Sequence, residues 1–195
     1  MTELKWPRKT RPLPAPRFDR ERWLETALEV LARDGQAKLE VVHLAAQLGV
    51  TKGSFYHHFS SRDDFVRSLT VYWSEVFTEW VKQEVESSGL DASGRLLLLM
   101  QIIEQNALDR YDVAFRSWAA QDPEIAANVH KVDQSRREFV TALFAEMGFE
   151  GTELEERSCA WLVHYTGHRS AFTPASQNDP SRIERLHALF TRPIR

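Results

Sequence analysis

Cysteine is nearly absent: Cys159 stands alone among 195 residues. An internal disulfide and a multi-cysteine metal site are therefore excluded, as suits a chain that works in a reducing cytoplasm. No apolar run approaches the ~20 residues that cross a bilayer, and the N-terminus lacks the apolar core of a secretory signal. A cytoplasmic location and no membrane partner are the expectation. The period-two alternation of strands is missing, and so is any internal repeat. Missing too are a glycine-rich phosphate loop, a nucleophile elbow and a paired-carboxylate motif, so neither an enzyme nor a cofactor is expected. His164 and His168 lie four apart on one helix face, but no carboxylate or cysteine at matching spacing completes a site, and no metal is expected.

The charge balance is small, −3 overall, yet unevenly spread. Residues 1–67 carry 12 Lys and Arg against 9 Asp and Glu, and the remainder carries 13 against 19. A basic front and an acidic rear suit a nucleic-acid-reading module joined to a body that avoids phosphates. Half of the eight prolines fall before residue 17, interleaved with Lys5, Arg8, Lys9, Arg11 and Arg17. Residues 1–17 are therefore expected to be a flexible basic arm, either merely solvated or following DNA phosphates.

The chain is organised around the stretch from Leu44 to Phe59. Leu44, Ala45 and Leu48 have helical spacing, Gly49 breaks the helix, and Thr51 is placed to cap a second one by accepting from Ser54 or Gly53 N–H. Phe55 and Phe59, four apart, turn inward together. Lys52, Gly53, Ser54, Tyr56, His57 and His58 are left on the outside. A plain αα-hairpin would use the same corner, but the exposed cation, phenol, imidazoles and hydroxyl point to a helix-turn-helix.

The rest of the chain is predicted to be all-α. A first helix spans Phe18–Asp34 with Trp23, Leu24, Ala27, Leu28 and Leu31 as its apolar stripe, and Lys38–Leu48 forms the second. Ser61 with Asp64 opens a fourth helix running unbroken to about Glu86, roughly 35 Å at 1.5 Å per residue. Arg95–Ala107 is a buried helix, Asp112–Ala120 another, and Asp122-Pro123 starts one that ends at Gly148. Thr152 with Glu155 opens the next, to about Ala171. Phe172 to Asp179 is a loop, and Asp179-Pro180 starts the last helix. The division is an arm (1–17), a helix-turn-helix domain (18–64) and a helical regulatory and dimerisation domain (65–195).

Leu44-Ala45, then Leu48-Gly49-Val50-Thr51-Lys52-Gly53-Ser54-Phe55-Tyr56-His57-His58-Phe59 and Ser61-Arg62, resemble the TetR family of bacterial transcriptional regulators over roughly residues 18–70. The resemblance implies a three-helix DNA-binding head joined by a long helix to a ligand-binding and dimerisation domain. It also implies a homodimer on a near-palindromic double-stranded operator, with the second helix of the motif in the major groove. On that pattern Thr51, Ser54, Tyr56, His58 and Arg62 meet phosphates, and Lys52, Gly53 and His57 make base-edge or mixed contacts. One position departs: Glu40 stands where the family has a capping Ser or Thr, so that phosphate contact is not carried over, and Lys38 is its nearest substitute.

The resemblance further implies a repressor released by a small hydrophobic ligand. Met100, Ile103, Tyr111, Phe115, Trp118, Phe139, Trp161 and Tyr165 are candidates to line its pocket, although plain core is the simpler role for each. Ala160, His164, Gly167 and Ala171 form a seam of small residues that fits a dimer contact or ordinary packing, with Leu186, Leu189 and Phe190 as the second element. A regulator without a small ligand, controlled by a partner, is the alternative. An all-α carrier or enzyme of small hydrophobic molecules is the reading from another class.

Overall fold

The computed structural model describes residues 20–171 and 181–192, with the side chains of 169–171 left aside. The expected arm, the start of the first helix at Phe18, the loop after Phe172 and the Asp179-Pro180 helix start lie outside the described residues. Within them every regular element is helical.

The head comprises α1 (Arg20–Asp34), a 3₁₀ turn (Gln36–Lys38), α2 (Val41–Leu48) and α3 (Lys52–Tyr56). Trp23, Leu24, Ala27, Leu28 and Leu31 are all buried, as their 3.6-residue spacing requires. The second helix does not begin at Lys38. Lys38 ends the 3₁₀ turn, and α2 starts three residues later behind Glu40, whose side chain makes no capping bond. With no short polar side chain to accept from the first N–H groups, the chain tightens before the α-helix begins.

Next come α4 (Arg62–Ser74), a π-helical turn (Glu75–Glu79) and α5 (Trp80–Glu86), which run without a break. The fourth helix was expected to be uniform; instead its middle is wound wider, with the Trp80 N–H bonded to the Glu75 carbonyl. The start is as expected and better tied. Ser61 Oγ accepts from Asp64 N–H, while the Asp64 carboxylate accepts from the N–H of Ser60 at 2.8 Å and from its hydroxyl at 3.0 Å. These bonds hold the Asp64 carboxyl below the usual aspartate range.

The body is built from α6 (Ala92–Gln105), α7 (Asp109–Ala119), α8 (Pro123–Glu146), α9 (Gly151–Ala171) and α10 (Arg182–Thr191). Two starts fall earlier than expected. Asp91 caps α6 through Gly94 N–H, and α7 begins three residues before Asp112, which is a buried residue of the first turn instead of the helix start. The next start also shifts slightly, since α9 already opens at Gly151. At α8 the Asp122 side chain accepts from Glu124 and Ile125 N–H, and Pro123 occupies the first turn.

Two aromatic clusters anchor the start and the middle of the α4–α5 helix. In the head, Phe55 sits 5.4 Å from Trp23, 5.0 Å from Phe59 and 5.3 Å from Phe65 between ring centroids. In the body, Trp73 stacks on Phe115 at 4.2 Å and Phe77 on Tyr111 at 4.7 Å. Such pairs add to the area they bury.

Candidate nucleic-acid interface and regulatory cavity

The corner between α2 and α3 is made by Gly49, whose φ of 69° and ψ of 30° lie in the left-handed region that a side chain disfavours. Val50 N–H returns to the Ala45 carbonyl at 3.0 Å, closing the turn. Phe55 and Phe59 are 0% and 1% exposed, so α3 is pinned by its inner face. Thr51, Lys52, Gly53, Tyr56 and His57 are exposed, and Ser54 and His58 half-buried.

One expected detail differs. Thr51 occupies the capping position, but its hydroxyl makes no capping bond. The Thr51 backbone carbonyl already takes the Ser54 N–H at 3.0 Å. The exposed hydroxyl is thereby left outside the helix's own bonding, where an external acceptor can reach it.

Gly53 is informative for the opposite reason. A Cβ there would meet only Thr51 Oγ1, at an ordinary 3.6 Å. Glycine costs a helix about 1 kcal/mol relative to alanine, and the fold has room for the methyl. Nothing among the described residues asks for glycine, so close approach of an outside surface is the physical reason that remains among them.

Lys52, Tyr56 and Arg62 share an open groove of about 490 Å³ with Glu40, Val42 and Gln36. The 3₁₀ turn thus brings Glu40 to the same groove as the two cations, while Lys38 is not among its walls. Tyr56 is 56% exposed, its ring edge-on to the buried Phe55 at 5.2 Å. This packing holds the ring and leaves the phenol outward.

The head is clasped to the body on its other side. Tyr111 OH donates to Glu29 of α1, and Arg110 Nη2 reaches the same carboxylate oxygen at 2.6 Å while also bonding the Tyr111 phenol. Burial raises the Tyr111 phenol's pKa, and the bond to Glu29 raises it further, so the proton stays in place. Gln36 Nε2 donates to Gln121 Oε1 at 3.2 Å as a second link.

In the body, a cavity of about 40 Å³ lies between α5, α6, α7, α8, α9 and the π turn. Of the eight residues proposed from sequence, Ile103, Phe139, Trp161 and Tyr165 line it. Met100 is fully buried away from it, Phe115 and Trp118 belong to the stack on Trp73, and Tyr111 serves the clasp. Sequence reasoning missed the polar wall: Thr78, Lys82, Asp112 and Arg136. The signal was there, as Asp112 and Arg136 are charged residues on otherwise apolar helix faces. Arg136 Nη1 bonds Asp112 Oδ1 at 2.7 Å, and Arg136 Nε donates to Thr78 Oγ1 at 3.0 Å. Burial pushes the Asp112 carboxyl up, against the pull of Arg136.

His164 and His168 stack at 4.8 Å, and His168 Nδ1 sits 2.8 Å from the His164 carbonyl oxygen. The fold does bring a carboxylate close, Asp109 at 3.4 Å from His168 Nε2, which spacing alone did not reveal. Among the described residues no group of three or more His, Cys, Asp or Glu side chains is arranged to hold a metal ion. No described helix is long and apolar enough to cross a membrane.

Residues 24–69 match the family model described as bacterial regulatory proteins, tetR family. The chain is also 32% identical over 54 residues to the HTH-type transcriptional regulator YerO of Bacillus subtilis, described as uncharacterized. That stretch covers 28% of this chain and 19% of YerO. Solved structures share the fold over nearly the whole chain. A transcriptional regulator from Rhodococcus superposes with a TM-score of 0.68 at 22% identity, covering 88% of this chain and 93% of its own. The regulator FadR of Bacillus subtilis, solved in complex with stearoyl-CoA, gives 0.67 at 15% identity, covering 90% and 99%. These relatives are regulators, not enzymes. Residues 24–69 thus carry the helix-turn-helix head of the bacterial tetR regulators, and the body behind it shares the fold of these solved regulators.

Proposed function

We propose that the protein is a homodimeric DNA-binding repressor, released from a near-palindromic operator by a small hydrophobic ligand. The observation that carries the DNA-binding part is the outer face of α3. An anchored inner face holds Lys52, Gly53 and Tyr56 outward beside Arg62, with a glycine that only an external surface explains. Thr51, Ser54, Tyr56, His58 and Arg62 serve the phosphates; Lys52, Gly53 and His57 face base edges. The proposed division is an arm over 1–17, a DNA-binding head over 18–64 and a regulatory and dimerisation body over 65–195.

Dimerisation is supported by the outer face of α9 and α10. Ala160, Val163 and Gly167 recur at helical spacing; Val163 is 63% exposed, and a Cβ on Gly167 would meet nothing within 4 Å. Leu189 of α10 is 69% exposed, whereas Phe190 and Leu186 pack inward. Arg157 ties the two helices by donating to the Phe190 and Arg192 carbonyls, both at 2.5 Å. A second copy of the chain covers this apolar face in the proposed dimer.

Coupling follows the connected elements. Phe77 and Thr78 of the π turn line the cavity, Phe77 stacks on Tyr111, and Tyr111 holds Glu29 of the head. A ligand that binds one arrangement of this chain of contacts better than the other shifts the heads. The small cavity supports a second reading, a regulator governed by a partner. Its 40 Å³ holds little more than a few waters.

The experiment is a gel shift on the DNA upstream of the protein's own gene. Specific binding should weaken steeply with salt. Lys52→Ala and Tyr56→Ala should each abolish it while the dimer persists in sedimentation. Unchanged affinity in both variants would overturn the assignment.

A further inference from the structure

The inference rests on the ligand-release reading above and concerns what the cavity accepts. Two polar groups of its wall stand out. Trp161 and Tyr165, one turn apart on α9 with rings 4.5 Å apart, are each 3% exposed. The Trp161 Nε1 and the Tyr165 hydroxyl have no hydrogen-bond partner among the described residues. Both donate hydrogen bonds, and a buried donor left without an acceptor is costly.

The charged groups of the wall are in the opposite condition. Arg136 is bonded to Asp112 and Thr78. Lys82 Nζ lies 3.2 Å from Glu79 Oε2 and 3.1 Å from Ser135 Oγ. Thr166 spends its hydroxyl proton on the Leu162 carbonyl at 2.8 Å. An anionic ligand would have to break an existing pair, and a cationic one would be buried without a counter-charge. Elsewhere the wall is aromatic and aliphatic, with Phe77 and Phe139 across from α9.

We propose that the cavity takes a flat, neutral, apolar molecule bearing a carbonyl-type acceptor, which receives hydrogen bonds from Tyr165 OH and Trp161 Nε1. The ring system lies among Phe77, Phe139 and Trp161, and the walls part to admit it. The acceptor oxygen selects the ligand, and the apolar body supplies most of the binding.

Calorimetric titration of the full-length protein with three two-ring probes of matched size tests this. They are acetylnaphthalene (a neutral ketone), ethylnaphthalene (no oxygen) and naphthoate (an anion). The ketone should bind roughly 3- to 10-fold tighter than the hydrocarbon and far tighter than the carboxylate. Tyr165→Phe should erase most of that preference while hydrocarbon affinity stays level. Should Tyr165→Phe fail to fold, Trp161→Phe provides the same comparison, and the probe ranking on the unaltered protein stands by itself. Equal affinity for ketone and hydrocarbon would overturn the proposal, the donors then being served by water. Tighter binding of naphthoate would overturn it as well. Operator DNA in a parallel gel shift separates the two failures. If the probes release DNA without ranking by their oxygen, this inference falls and the ligand-release reading stands. If DNA is bound but no probe binds or releases it, both fall and the partner-controlled reading gains.

Discussion

Gly53→Ala should raise stability and lower DNA affinity, and that opposition of signs makes it a sharp test of the interface. The methyl lands 3.6 Å from Thr51 Oγ1 and touches nothing else within 4 Å, so the folded protein accepts it without strain. Position 53 is in the first turn of α3. Replacing a helical glycine there gains about 0.5–1 kcal/mol, from the helix and from the restricted unfolded chain. In a chain of this size, that raises the melting temperature by about 1–4 °C. On DNA the same methyl occupies space that the glycine leaves to a groove edge or a phosphate. Overpacking of this kind costs about 1–3 kcal/mol, which is about 5- to 150-fold in affinity. Differential scanning calorimetry and a fluorescence anisotropy titration with operator DNA at fixed salt read the two effects separately. A variant that melts higher and binds DNA as tightly as the parent would refute the argument that α3 approaches DNA at Gly53. A variant that melts lower would refute the claim that the fold has room.

The clasp between head and body is tested by a double-mutant cycle. Tyr111→Phe and Glu29→Gln should each lower stability by about 1 kcal/mol and the pair by less than their sum; additive losses in urea melts would show that the contact carries no energy. Val163→Glu and Leu189→Glu place charges on the proposed dimer face, and each should yield monomers in sedimentation with the melting temperature of the isolated chain nearly unchanged; persistent dimers would move the interface elsewhere. The Asp64 carboxyl is held below its usual range by the Ser60 N–H and hydroxyl. It therefore stabilises the fold above the unfolded aspartate value, about 3.9, and this contribution disappears as pH falls through its lower folded value. Asp64→Asn should accordingly be less stable than the parent at neutral pH and equal to it in strong acid. A stability difference that does not change with pH would contradict this.

The head was largely legible because local chemistry decides it. Gly49 demands a left-handed turn, Phe55 and Phe59 demand burial, and Ser61 with Asp64 demands a helix start. The Thr51 cap was misjudged for a local reason too: the residue type fits the position, but the backbone carbonyl met the Ser54 N–H first. The body was legible only as helices. Whether Trp118 or Trp161 faces a cavity depends on how α7 and α9 cross their neighbours, and an aromatic residue satisfies core and cavity equally well. The Asp112–Arg136 pair was visible as two misplaced charges, but nothing in their spacing, 24 residues apart, says that they meet. The π turn was invisible because Tyr72, Trp73, Phe77 and Val81 satisfy a wide turn and an ordinary one with the same apolar stripe.

That wide turn has a consequence for the length of the chain as well as for its sequence. The five residues Glu75–Glu79 accommodate one residue more than an α-helix needs to cover the same rise. Deleting a single residue there restores regular winding at little local cost and leaves the segments before and after it facing as they do now, with Phe65 and Leu69 in the head's core and Val81 and Val85 in the body's. A deletion in the regular turns on either side has no such slack, and it rotates everything before it by about 100° relative to everything after. Loss of one residue is thus expected to be tolerated inside Glu75–Glu79 and to break the fold outside it. The head and the body are kept in register by residue count, in the way that meshed gears are kept in phase by the number of teeth between two marks.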